Sequence, residues 1–110
     1  MVTGALTRAR GGVAVGQAAV RVDLTKGRWK HAREPIMEGC PCPACAGGYS
    51  RAYLHYLFGA RELTALRLVT LHNLAYVARL MADLRAAIAA GTLAEVAAAV
   101  RAGAAPGGLA

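Results

Sequence analysis

Apolar positions recur at intervals of three and four residues from Leu63 to Ile88, through Leu66, Val69, Thr70, Asn73, Tyr76, Val77, Leu80, Met81 and Leu84. That interval predicts one face of a long amphipathic helix. Gly91 follows it and predicts a helix stop. Thr92, with Glu95 three residues on, reads as a capping box that opens a short alanine-rich helix. The glycines and proline after Gly103 then predict a frayed tail. Ahead of the long helix, Ser50 predicts an N-cap for a helix over residues 51–58. That helix carries Tyr53, Tyr56 and Leu57, with Tyr49 just before it. Nearer the N-terminus the period drops to two: Val20, Val22 and Leu24 share one side, opposite Arg21 and Asp23. This predicts a half-buried strand, with Val13-Ala14-Val15 as its hairpin partner across Gly16-Gln17. Residues 1–12 show no clear period, and no repeat is present. The pattern predicts a mainly helical α+β chain: an N-terminal hairpin, a cysteine loop and a long antiparallel helix pair.

Length and charge narrow the reading. The chain has 110 residues, enough for one small domain. Lys and Arg number 13 against 6 Asp and Glu, a net charge of +7. Such an excess implies an anionic partner or an anionic neighbouring surface, with a merely solvated basic surface as the alternative. Residues 26–33 hold Lys26, Arg28, Lys30 and Arg33 around the single tryptophan, Trp29. A basic run with an aromatic suits a nucleic-acid backbone with a base stacked on the ring. A lone tryptophan is more often a packing anchor. No apolar run reaches the ~20 residues a membrane span needs. Arg8 and Arg10 are followed by no apolar core of a signal peptide, so a cytoplasmic protein is expected.

The cysteines change the picture most. All three, Cys40, Cys42 and Cys45, fall in Cys-Pro-Cys-Pro-Ala-Cys. Three thiols so close cannot all pair as disulfides, and a reducing compartment keeps them free. Three thiolates and one imidazole make a closed tetrahedral set for a structural zinc ion. The candidates for the imidazole are His31, His55 and His72. A helix of about ten residues carries the chain about 15 Å from the loop, and an antiparallel second helix returns it by the same distance. His72 then lies beside Cys45. His55 sits partway up the first helix, and His31 reaches the loop only by a hairpin. The plainer alternative is a loose thiol cluster with His72 as a polar core residue.

The segment from Cys40 to Met81 resembles the zinc subdomain of the tRNA-guanine transglycosylases, the queuine tRNA-ribosyltransferases. The features that carry the resemblance are Cys-x-Cys-x-x-Cys, Tyr49-Ser50-Arg51-Ala52-Tyr53, Glu62-Leu63, and His72-Asn73 ahead of Tyr76 and Leu80-Met81. Upstream, Thr7-Arg8, Val22-Asp23-Leu24, Gly27-Arg28-Trp29 and Pro35 extend it over about residues 3–100. The resemblance implies zinc on Cys40, Cys42, Cys45 and His72. It also implies the C-terminal part of a (β/α)8 barrel, divided as barrel end over 1–38, zinc-binding helical subdomain over 39–90 and short terminal helix with disordered tail over 91–110. The activity implied is exchange of guanine in the tRNA anticodon loop for a 7-deazaguanine base, with an aspartate attacking the ribose and a second aspartate as general base. Arg8, Arg10, Arg28 and Lys30 become candidates for tRNA phosphates. Tyr49, Tyr53 and Tyr56 become candidates for a homodimer contact through the zinc subdomain.

The departures bear on catalysis. The nucleophilic aspartate is expected about five residues before Thr7, where Val2 stands. The proline before Thr7 is Leu6, the second loop arginine falls on Gly11 beside Arg10, and an acidic residue before the cysteines is Ala32. The carboxylates present are Asp23, Glu34, Glu38, Glu62, Asp83 and Glu95, none paired in sequence with a catalytic partner. Asp83 and Glu95 are expected on solvated helix faces, and Glu62 near a helix N-terminus. Base displacement needs a nucleophile and a proton carrier. The chain alone is therefore expected to be inactive, with no catalytic residue. Two functions follow as expectations: part of a transglycosylase, or a non-catalytic zinc module that binds RNA or a partner subunit.

Overall fold

The computed structural model describes residues 12–14 and 21–109. Strand β1 (Gly12–Ala14) pairs antiparallel with β2 (Arg21–Asp23), Val13 opposite Val22. The predicted pairing is present, while Val15, Gly16, Gln17 and Val20 lie outside the described residues. A 3-10 turn over Gly27–Trp29 leads to the cysteine loop. Four helices follow: α1 (Pro43–Ala46), α2 (Arg51–Gly59), α3 (Leu63–Ala90) and α4 (Leu93–Arg101).

The helix boundaries follow local chemistry. Three N–H groups open the first turn of α2, and each finds an acceptor. Ser50 Oγ takes Tyr53 N–H at 3.0 Å, Glu34 O takes Arg51 N–H at 2.9 Å, and Ala32 O takes Ala52 N–H at 2.8 Å. The cap thus also fastens the 32–34 segment to the helix. Gly91 ends α3 in the left-handed region at φ 75°, where a side chain is penalised. Thr92 precedes α4 but makes no side-chain cap, and its hydroxyl is buried without a partner. The predicted capping box is not formed. Its backbone, φ −113° and ψ 22°, lies outside the extended conformation that aims an N-cap hydroxyl at the first turn.

The core lies where β1, β2, the cysteine loop, α2 and the first half of α3 meet. Val13, Leu24, Ile36, Ala44, Leu54 and Ala65 are at most 1% exposed there. The buried side of α3 carries Ala65, Leu68, Val69, His72, Tyr76, Asp83 and Ala87. This corrects the face read from periodicity. Of that predicted face only Val69 and Tyr76 are buried, while Leu63, Leu66, Met81 and Ile88 are exposed. The helix is apolar on two sides, and the same interval describes both. Asp83, expected on a solvated face, is buried. Its carboxylate accepts N–H from Gly107 at 2.7 Å and from Gly108 at 2.9 Å. The tail that was expected to fray is thereby held against α3. Glycine permits the positive φ, 122° at Gly107 and 83° at Gly108, that presents both N–H groups. Among the described residues no helix is long and apolar enough to cross a membrane.

Candidate metal centre

The cysteine loop is shaped by its own backbone. Cys42 is the N-cap of α1, its sulfur taking the Cys45 N–H at 3.3 Å, and Pro43 fills the first helical position, where no N–H is needed. One helical turn therefore aims Cys42 and Cys45 at the same point. After it, Gly48 at φ +86° turns the chain back toward α2. Cys40 enters from the other side, and its N–H donates to Met37 O at 3.4 Å.

His72 supplies the fourth group, from the buried side of α3, with no exposed surface. Its Nδ1 lies 3.6 Å from Cys40 Sγ, 3.4 Å from Cys42 Sγ and 3.5 Å from Cys45 Sγ. One ring nitrogen cannot hold hydrogen bonds with three thiols at once. Three near-equal distances are instead the edges of a tetrahedron. Metal–sulfur bonds of about 2.3 Å and metal–nitrogen bonds of about 2.05 Å at tetrahedral angles place N and S about 3.6 Å apart. All four ligand atoms lie within 4.8 Å of one another. The donor set fits a metal ion, and the three cysteines form no disulfide.

Burial pushes the Cys45 thiol up to about 12, and the Met37 N–H that donates to its sulfur at 3.5 Å works against that rise. Burial raises Cys40 as well. Both stay protonated at neutral pH until a cation displaces the protons. With four protein ligands the centre has no open position, which suits a structural site and not a catalytic one.

The other imidazoles are elsewhere. His55 Nδ1 donates to Leu24 O at 2.9 Å, tying α2 to the end of β2. His31 is exposed and, with Lys30, His55 and Tyr56, lines an open cavity of about 530 Å³ between the 3-10 turn and α2. Of the phosphate candidates, Arg8 and Arg10 lie outside the described residues. Arg28 and Lys30 are exposed, with the Arg28 guanidinium 4.8 Å from the Trp29 ring centre. Trp29 is half-buried against the core, with a second guanidinium, Arg51, 4.6 Å from its ring centre. Tyr49, Tyr53 and Tyr56 form a ladder with ring centres 5.8 and 6.2 Å apart. Tyr49 leans on the core, whereas Tyr53 and Tyr56 are 47% and 63% exposed.

Sequence reasoning passed over two residues beside the centre. Asn73 Nδ2 donates to Gly12 O at 2.9 Å, fixing β1 on α3. Arg51 donates through Nε to Pro35 O at 3.2 Å and through a terminal nitrogen to Ile36 O at 2.7 Å. Both residues bond to backbone carbonyls, which leave no mark on a sequence. The one available signal was that each sits inside a motif, Ser-Arg-Ala-Tyr and His-Asn.

A family profile described as Queuine tRNA-ribosyltransferase matches residues 3–105. A Queuine tRNA-ribosyltransferase of Sorangium cellulosum is 47% identical over 89 residues, covering 81% of this chain and 22% of that protein. One of Cereibacter sphaeroides is 48% identical over 95 residues, 84% of this chain and 25% of its own. One of Xylella fastidiosa is 59% identical over 59 residues, 54% of this chain and 15% of its own. The chain thus spans about a quarter or less of the length of these relatives.

Proposed function

Because the chain belongs to the queuine tRNA-ribosyltransferase family, we propose that it is the zinc-bearing part of a tRNA-guanine transglycosylase, the enzyme that exchanges anticodon-loop guanine for a 7-deazaguanine base. The observation that carries this reading is the Cys40, Cys42, Cys45 and His72 centre, closed at tetrahedral edge lengths inside a chain that matches the family along most of its length. Zinc is the ion that three thiolates and one imidazole select. Its role here is structural: it joins the loop before α1 to the middle of α3, two segments about thirty residues apart in sequence.

In this reading residues 39–90 form the zinc-binding unit, residues 1–38 end a (β/α)8 barrel, and residues 91–110 close the chain. Arg28 and Lys30, with Arg8 and Arg10, contact tRNA phosphates. Tyr53 and Tyr56, the exposed rungs of the tyrosine ladder, contact a second subunit, with Tyr49 behind them. The chain carries no nucleophile for base exchange, and the protein works in the cytoplasm, where tRNA is. A second reading, a stand-alone module that binds RNA or a partner, draws support from one feature: all four ligands come from this chain.

The test is a filter-binding titration of tRNA against salt. Arg28→Ala and Lys30→Ala should each weaken binding to different tRNAs about equally and make the log–log salt slope shallower by about 1. Unchanged slopes would remove both residues from the interface. Incorporation of labelled guanine into tRNA by the purified chain would overturn the assignment of catalysis to residues it lacks.

A further inference from the structure

The Arg51 side chain bonds at once to the approach of the cysteine loop and packs on the ring of Trp29. Its guanidinium spans two successive carbonyls, Pro35 O and Ile36 O, and rests 4.6 Å from the Trp29 ring centre. The next residue, Met37, donates its N–H to Cys45 Sγ. The backbone N–H of Arg51 is held by Glu34 O. Three successive carbonyls of the segment that leads to the centre, those of Glu34, Pro35 and Ile36, are thus held by residue 51.

We propose that Arg51 is a positioning residue of the metal centre, whose guanidinium fork fixes residues 35–37 so that the Met37 N–H stays on the Cys45 sulfur. The inference rests on the zinc reading above. Charge supports it. Three thiolates and a divalent cation leave one net negative charge in a largely buried site. A hydrogen-bond donor on a thiolate spreads that charge, and a guanidinium nearby balances it. Burial and the neighbouring Arg28 disfavour the guanidinium's charge, while Glu34 and the Cys45 side chain favour it. A lysine cannot reproduce the arrangement, because one ammonium does not match two carbonyls in a fixed planar fork.

The experiment uses the full chain loaded with zinc and, separately, with cobalt(II). It follows zinc transfer to a coloured chelator and the thiolate-to-cobalt charge-transfer band. Arg51→Met should speed zinc loss by about 10–100-fold and shift the band, since outer-shell partners carry that much metal affinity. Arg51→Lys, which keeps the charge and most of the stem, should fall between Arg51→Met and the unchanged chain. Arg67→Met, which removes an exposed arginine from α3, should change neither readout. If Arg51→Met does not fold, Arg51→Lys decides the matter alone: release and band both unchanged would overturn the proposal. Equal effects of Arg51→Met and Arg67→Met would overturn it too, by reducing Arg51 to one unit of surface charge. An unmodified chain that holds no zinc would sink the zinc reading first, and the proposal with it. Normal zinc binding that is indifferent to Arg51 would sink the proposal only.

Discussion

At the scale of single residues, a zinc ion on the centre would convert a redox-sensitive triplet of thiols into a fixed point of the fold. The buried thiols explain how it is loaded. Burial holds the protons on Cys40 and drives Cys45 up to about 12, so both enter the metal-bound state only by losing a proton. A raised thiol pKa favours the neutral apo form, and zinc reverses that preference. The apparent zinc affinity is therefore expected to climb with pH across the neutral range, by about two decades per pH unit for these two thiols. Acid should release the ion. Competition titrations with a chelator between pH 6 and pH 8 measure this, corrected for the chelator's own protonation. A pH-independent affinity would mean that thiolates already exist before the metal arrives. The centre was legible in the sequence because cysteine is scarce and its spacing meets a geometric demand. The choice of His72 rested on the rise of one helix and the antiparallel return of the next, beside the family resemblance. Arg51 was not legible, since its partners are main-chain oxygens, and any residue before Met37 would supply the same two.

At the scale of elements, local signals served well where the chemistry was local. Ser50 and Gly91 each mark a helix end by satisfying or permitting something within one turn. Thr92 shows the limit: its composition fits a cap but its backbone does not. The buried side of α3 was illegible for a different reason. Leu63, Leu66, Leu74, Met81 and Ile88 line one side, and Ala65, Leu68, Val69, His72 and Tyr76 another. Periodicity finds stripes but not what covers them, and the bulkier stripe is the open one. The C-terminal tail depends on Asp83 in the same non-local way. Burial by itself raises the Asp83 carboxyl, but N–H groups of Gly107, Gly108 and Leu109, with Arg79 nearby, outweigh it and hold the group below the usual carboxylate range. A carboxyl whose folded pKa is depressed stabilises the fold above its unfolded value of about 3.9, and that contribution is lost as pH falls through the folded value. The tail should therefore stay docked at neutral pH and release in strong acid. Asp83→Asn should remove the pH dependence and loosen the tail at every pH where the Asp83 carboxylate is ionised. Amide hydrogen exchange at Gly107 and Gly108 reads both effects; equal protection in Asp83→Asn would assign the docking to something other than the carboxylate.

At the scale of the whole molecule, the chain is an elongated body of 47 × 23 × 21 Å. Its long axis is set by α3, whose 28 residues run about 42 Å at 1.5 Å each. Only the first half of that helix is embedded in the main core. The open stripe runs along nearly its whole length, with Leu63 at 78%, Leu74 at 62% and Ile88 at 64% exposure. A row of large apolar side chains along a helix of this length is a surface shaped to be covered. A net charge of +7 acts against association of identical chains, and the hydrophobic stripe acts for it. Salt screens the first over a Debye length of about 8 Å at physiological ionic strength and leaves the second intact. The isolated chain is therefore expected to self-associate more strongly as salt rises, the reverse of its expected behaviour with tRNA. Replacing Leu74 and Met81 together by glutamate should remove the part of that association that grows with salt, without altering zinc content, because neither side chain belongs to the core around His72. Sedimentation at two salt concentrations separates the possibilities. Association that persists and still grows with salt in the double variant would assign it to the tyrosine-ladder contact of α2 proposed above, where Tyr53→Ala is the next substitution. Association that weakens with salt would show charge, not the stripe, to be the force that joins the chains.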